Sequence, residues 1–139
     1  MKQRHLARQA AVQVIASLLL QEDDPEKVIA FVHEDLNERL SSRNFLTLLV
    51  QGVLQNREEI DKHIQYFAPE WPIEKLDPVE RAILELGSFE LTATDTPPAI
   101  VINECVELAK EFGDDTAGKF INGVLSSLAR HVGKIPVSP

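Results

Sequence analysis

Apolar residues recur at spacings of three and four along nearly the whole chain, and sustained period-two alternation appears nowhere. This restricts the fold more than any other feature: a 3.6-residue period lays an apolar stripe along a helix, whereas a half-buried strand needs a period of two. Residues 3–20 carry Ala7, Ala10, Ala11, Val14, Ile15 and Leu18 in helical register. A second helix is expected from about Glu26, with Val28, Ile29, Val32 and Leu36 facing inward. Ser41 and Ser42 offer an N-cap for a third, which carries Phe45, Leu48, Leu49, Val53, Leu54, Ile60, Ile64 and Phe67, with a break near Asn56.

The stretch FAPEWPIEKLDP (67–78) holds three of the eight prolines, so no helix passes through it intact. Trp71 is expected to fill this joint. In LDPVERAILELGSFEL (76–91), Asp77 can cap a helix, Pro78 suits its first position, and Glu80 stands three residues after the cap. Pro97 and Pro98 close that helix and open another, with Ile102, Cys105, Val106, Ala109 and Phe112 inward and Gly113 as its stop. Asp114 or Asp115 caps a last helix running to about Arg130. The expected architecture is all-α: about seven helices in two packed helical sub-bundles, about 3–67 and about 76–131, within one domain of 139 residues.

The last helix poses a local puzzle. Asn122-Gly123 is a strong turn signal, yet the helical beat runs straight through it. Phe120, Ile121, Val124, Leu125 and Leu128 gather on one face, beside a strip of Gly118, Asn122, Ser126 and Ala129. A mid-helix glycine costs about 1 kcal/mol relative to alanine. Gly118 and Gly123 therefore imply close approach of another backbone, with Asn122 bonding across to it. A sharper reading has a ligand or partner approaching the same strip.

The formal net charge is -8, but it is unevenly spread. Up to Gln21 the chain holds Lys2, Arg4, His5 and Arg8 and no acid. Exposed cations at a helix N-terminus are disfavoured by roughly 0.3–1 kcal/mol each. A bound polyanion makes up that loss: Arg4 and Arg8, four apart, share a face and can grip adjacent phosphates, and free helix N–H groups add donors. The competing reading is a solvated terminus with incidental charge. The polyanion reading requires Arg4 and Arg8 to stay clear of the chain's own carboxylates.

Other chemistries lack their residues. One cysteine, Cys105, permits no internal disulfide, which suits a reducing, cytoplasmic setting. No apolar run approaches the ~20 residues of a membrane span, and no signal peptide is evident. The four histidines lack ligand spacing, no Walker A or GxSxG motif occurs, and Cys105 falls on a buried face. Glu104, Glu107 and Glu111 share a helical face but have no Glu-x-x-His partner, so a solvated face is expected. No enzymatic activity, metal or cofactor is expected.

Five segments appear in order: ARQAAVQ (7–13), LVQGVLQN (49–56), LDPVERAILELGSFEL (76–91), INECVELAKEFG (102–113) and KFINGVL (119–125). Together they resemble the NusB family of transcription antitermination factors, over roughly residues 4–130. The resemblance implies binding to the boxA element of ribosomal leader RNA. It also implies pairing with NusE, a small-subunit ribosomal protein, in the RNA polymerase elongation complex. Self-association as a homodimer occurs in some relatives. Carried onto this chain, it points to Lys2, Arg4, His5, Arg8, Gln13, Lys119, Phe120 and Asn122 for RNA. Phe120 either stacks on an unpaired base or sits in the core. Glu80 and Glu85 are candidates to meet the basic surface of NusE. His5 and Leu6 stand where the family often has arginine, and Ala16 where it often has tyrosine. Weak RNA binding alone, strengthened by the partner, is the expectation. The alternative is a helical protein–protein adaptor with little RNA affinity.

Overall fold

The computed structural model describes residues 2–21, 24–36 and 43–132. Among these residues are six α-helices, α1 (Lys2–Leu20), α2 (Pro25–Leu36), α3 (Arg43–Phe67), α4 (Pro78–Ala93), α5 (Pro98–Phe112) and α6 (Asp115–His131), and a 3-10 turn at Ile73–Lys75. No strand occurs among the described residues. The side chains of Lys2, Val32 and Leu36, and all of Ser41 and Ser42, lie outside the described residues.

The expected break near Asn56 is absent, and α3 runs for 25 residues. Asn56 Nδ2 donates to the Gly52 carbonyl one turn back at 2.8 Å, so its amide is spent within the helix rather than ending it. At the proline joint, Trp71 is 57% exposed and does not fill the corner. Gln65 holds it instead. Its Nε2 donates to the carbonyls of Ala68 and Trp71, and its Oε1 accepts from the Ile73 amide. A corner whose backbone cannot be helical needs such partners, and a side-chain amide supplies both kinds.

Helix α4 is the centre and packs on α1, α3, α5 and α6. Ten consecutive residues, Ala82 to Leu91, are buried. A helix covered all round is the expected outcome for a segment rich in Ala, Ile, Leu and Phe. Close packing depends on glycine: a methyl at Gly52 of α3 would land on the Phe89 ring, and one at Gly87 would meet Leu125 Cδ1 at 2.7 Å. Asp77 caps α4, accepting from the amides of Val79 and Glu80 at 3.1 and 3.2 Å. Asp114 caps α6 through the Ala117 amide at 2.9 Å. Two apolar residues expected inward, Leu48 and Phe112, are instead 50% and 40% exposed.

The glycines of α6 divide. A Cβ on Gly118 would sit 3.3 Å from Lys110 Cγ and 3.5 Å from Val106 Cγ1, so close approach to α5 holds there. Gly123, five residues on and about 140° round the helix, faces open space. The expected close approach fails at that position. Asn122 bonds along its own helix, its Oδ1 accepting from Ser126 Oγ at 3.3 Å, and not across to another backbone.

Candidate nucleic-acid interface

The first turns of α1 carry Arg4, His5 and Arg8, and the structure separates their fates. Arg8 turns inward. Its Nε and Nη2 donate to the two carboxylate oxygens of Glu90 on α4 at 2.7 and 2.9 Å, with the side chains 3% and 0% exposed. Burial disfavours the charged guanidinium, but the hydrogen bonds and charge of Glu90 outweigh it, so the net shift is upward. The expectation that Arg4 and Arg8 present a paired grip to solvent is therefore corrected. The signal lay in α4: an acid within an otherwise buried run must find a cation.

Arg4 remains exposed. Its guanidinium carbon lies 4.4 Å from the ring centroid of Phe45 on α3, and it pairs with no carboxylate among the described residues. Of the two arginines required to stay clear of the chain's own acids, one does and one does not. Gln13, further along α1, is exposed.

His5 bridges two acids of α5. Its Nδ1 lies 2.6 Å from Glu104 Oε2 and its Nε2 2.9 Å from Glu111 Oε1. Glu111 also accepts from Gln9 Nε2 at 2.6 Å. The hydrogen bond to Glu104 raises the imidazole above its ordinary value; partial burial opposes this and Glu111 adds to it. The expected solvated face of three glutamates is corrected for two of them: Glu104 and Glu111 are tied up and only Glu107 stands free in solvent. The effect is to cover negative charge next to the basic tip.

On its other flank, α5 forms a groove of about 500 Å³ with α6. Lys119 and Asn122, both expected, meet Lys110, Asn103 and the exposed Asp115 there over the Gly118 floor. Neither lysine takes part in an ion pair among the described residues. Asn103 and Lys110 were missed in the sequence because each reads as an ordinary solvated helix position. Their signal is only their placement opposite Gly118.

Phe120 does not join this groove. It is half-buried in a separate one of about 400 Å³ beside Trp71, Leu76, Glu80 and Asp114. Glu80 is half-buried there, its carboxyl raised by burial and then by Asp77 and Asp114. Glu85 is corrected as a surface acid. It is fully buried, held by Arg57 at 3.0 and 3.1 Å, with Arg81 at 3.5 Å bridging on to Asp61 at 2.9 Å. Burial and then Asp61 push its carboxyl up, against the pull of Arg57. Among the described residues no cluster of three His, Cys, Asp or Glu could hold a metal, and no helix is long and apolar enough to cross a membrane. Cys105 is buried, and burial raises its thiol.

The described residues thus form an all-helical domain with cations outside any ion pair on both flanks of α5. Comparison with known proteins makes this specific. Residues 5–130 match the NusB family. The transcription antitermination protein NusB of a Nitratiruptor species is 40% identical over 132 residues, covering 95% of each chain. That of Campylobacter jejuni (strain 81-176) is 43% identical over 133 residues, covering 94% of this chain and 98% of its own. A solved complex of antitermination factors NusB and NusE with double-stranded RNA superposes with a TM-score of 0.85 at 32% identity, covering 94% and 98%. The chain belongs to the NusB family.

Proposed function

We propose that this chain is an RNA-binding transcription antitermination factor of ribosomal RNA operons, acting in the cytoplasm and without catalysis. It holds boxA-type leader RNA together with NusE in the RNA polymerase elongation complex. The observation that carries this reading is the set of unpaired cations beside α5, Arg4 on one flank and Lys110 with Lys119 on the other, on a chain of net charge -8. In a protein this acidic, cations left without local partners are the ones available to phosphate.

Arg4, with Lys2 beside it in sequence, and the free N–H groups of α1 would take phosphates at the tip. Lys110 and Lys119 would take the backbone further along, with Asn103 and Asn122 offering amides to base edges. His5 and Gln9 mask Glu104 and Glu111, which would otherwise repel the RNA. Three described phosphate-ready cations give limited affinity, so a partner adds what is missing. The groove of Trp71, Phe120, Glu80 and Asp114 combines exposed aromatic surface with acids, which suits a basic ribosomal protein such as NusE. A homodimer that covered the tip would compete with RNA.

The test is a titration of boxA-type RNA with and without NusE at two salt concentrations. Arg4→Ala is expected to weaken binding and to flatten its salt dependence, by about 0.7 in log–log slope for one single-strand contact. NusE binding with no RNA binding in any condition would establish the adaptor reading instead, which the burial of Arg8 favours.

A further inference from the structure

A third groove, of about 460 Å³, opens beside the basic tip. Phe45 and Leu48 of α3 and Ile100 of α5 with the Thr94–Pro97 turn line it, together with Arg4, Arg8 and Glu104. Its surface is mainly apolar. Leu48 is 50% and Ile100 41% exposed, a cost that neither fold nor solubility requires. Phosphate cannot use such a surface. An apolar protein segment could cover Leu48 and Ile100, but it would strip water from Arg4 and from the exposed Asp95 on the rim, leaving a cation and an anion without partners.

A nucleotide matches the apolar walls and Arg4, while the two other charges of the lining are already engaged, Glu104 with His5 at 2.6 Å and Arg8 with Glu90 at 2.7 Å. Its phosphate answers Arg4, and its base offers flat apolar faces to Leu48, Ile100 and the aromatic–guanidinium stack of Phe45 and Arg4. An exocyclic amine would have Asp95 as an acceptor. The groove is continuous with the tip through Arg4 itself, and its volume lies within the ~300–1,000 Å³ of sites built for small organic groups.

We propose that this groove seats one unpaired base of the bound RNA, turned in beside the Arg4–Phe45 stack while Arg4 holds its phosphate. The proposal rests on the RNA-binding reading above and adds to it a base subsite that phosphate contacts alone do not supply.

The test uses the full chain and boxA-type RNA oligonucleotides carrying 2-aminopurine at one position at a time. With the unmodified chain, one position is expected to change fluorescence on binding well beyond the others. Leu48→Gln and Ile100→Gln alter exposed residues without changing charge. Each is expected to remove that signal and to weaken RNA binding about 5- to 150-fold, the range of one lost stacking contact, while the salt slope stays as it was. Phe45→Leu, which keeps apolar volume but loses the ring, should do the same. Thermal unfolding of each variant identifies loss of fold, and a variant that fails it is replaced in the comparison by the other two.

RNA binding that persists at full strength in Leu48→Gln and Ile100→Gln, with the fluorescence signal intact or never present, overturns the subsite and leaves the RNA reading standing. Loss of NusE binding or of self-association in these variants, with RNA binding unchanged, also overturns it and makes the groove a protein face. No RNA binding by the unmodified chain, with or without NusE, overturns the RNA reading and the subsite together.

Discussion

The two flanks of α5 carry similar numbers of charges and use them in opposite ways. Toward α1, Glu104 and Glu111 are clamped by His5 and Gln9. Toward α6, Lys110 and Lys119 share a groove with Asp115 above a glycine floor but form no ion pair among the described residues. Arg4 and Arg8 repeat the contrast within a single helix: one rests on an aromatic ring in solvent, the other is sealed against Glu90. Whether a charge is available to a ligand is decided by its immediate neighbours, and composition does not report those.

The largest expected effect tests the sealed pair. Arg8→Ala leaves Glu90 buried without a cation and should destabilise the fold by about 3–5 kcal/mol. The joint replacement Arg8→Met with Glu90→Leu should recover most of this, as read by urea or thermal unfolding. If Arg8→Ala unfolds like the parent, the burial argument fails. On the opposite flank the pattern should invert. Lys110→Ala with Lys119→Ala should change stability by no more than about 0.5 kcal/mol per site, while lowering RNA affinity and flattening the salt slope by about 1.4 for two single-strand contacts.

Smaller effects sharpen the picture. Gly123→Ala meets nothing within 4 Å and should stabilise the protein by about 0.4–1 kcal/mol in thermal unfolding. Gly52→Ala, by contrast, must displace the Phe89 ring and should destabilise. The His5 clamp is expected to contribute no more than about 1 kcal/mol, and its sign follows from the raised imidazole. A histidine that holds its proton more tightly when folded contributes stability that is complete below its ordinary value of 6.5 and fades as pH rises through the higher folded value. His5→Gln should therefore cost stability at pH 6 and converge with the parent in alkali. RNA affinity should fall over the same interval as Glu104 and Glu111 are uncovered. A constant difference across pH would remove the clamp from the account.

Much of the fold was legible because its signals are local. Asp77-Pro78 announces α4, and Asp114 announces α6, through contacts two or three residues away. Most of the errors arise where a side chain's partner cannot be read from the helical pattern around it. Asn56 does not end its helix because its amide turns back on Gly52. Trp71 stays exposed because Gln65 already secures the corner. Arg8 and Glu85 were assigned to the surface because Glu90 and Arg57 are 82 and 28 residues away from them. Of the candidate site, motif and charge name Arg4, Lys119 and Asn122. Motif and charge do not name Phe45, Asn103 and Lys110 for it, since only the packing of α3 on α1 and of α5 on α6 brings them to the grooves.

The Arg8–Glu90 pair has a mechanical corollary. It fastens α1 to the central helix one turn behind Arg4. Sliding or rotating α1 by even a single residue would strand two charges in a dry interior. The terminal turn that meets solvent is thereby indexed to the rest of the bundle, like a key seated in a shaft. Arg4 reaches any ligand from a fixed bearing, where an unfastened helix end would have to find one anew at each encounter.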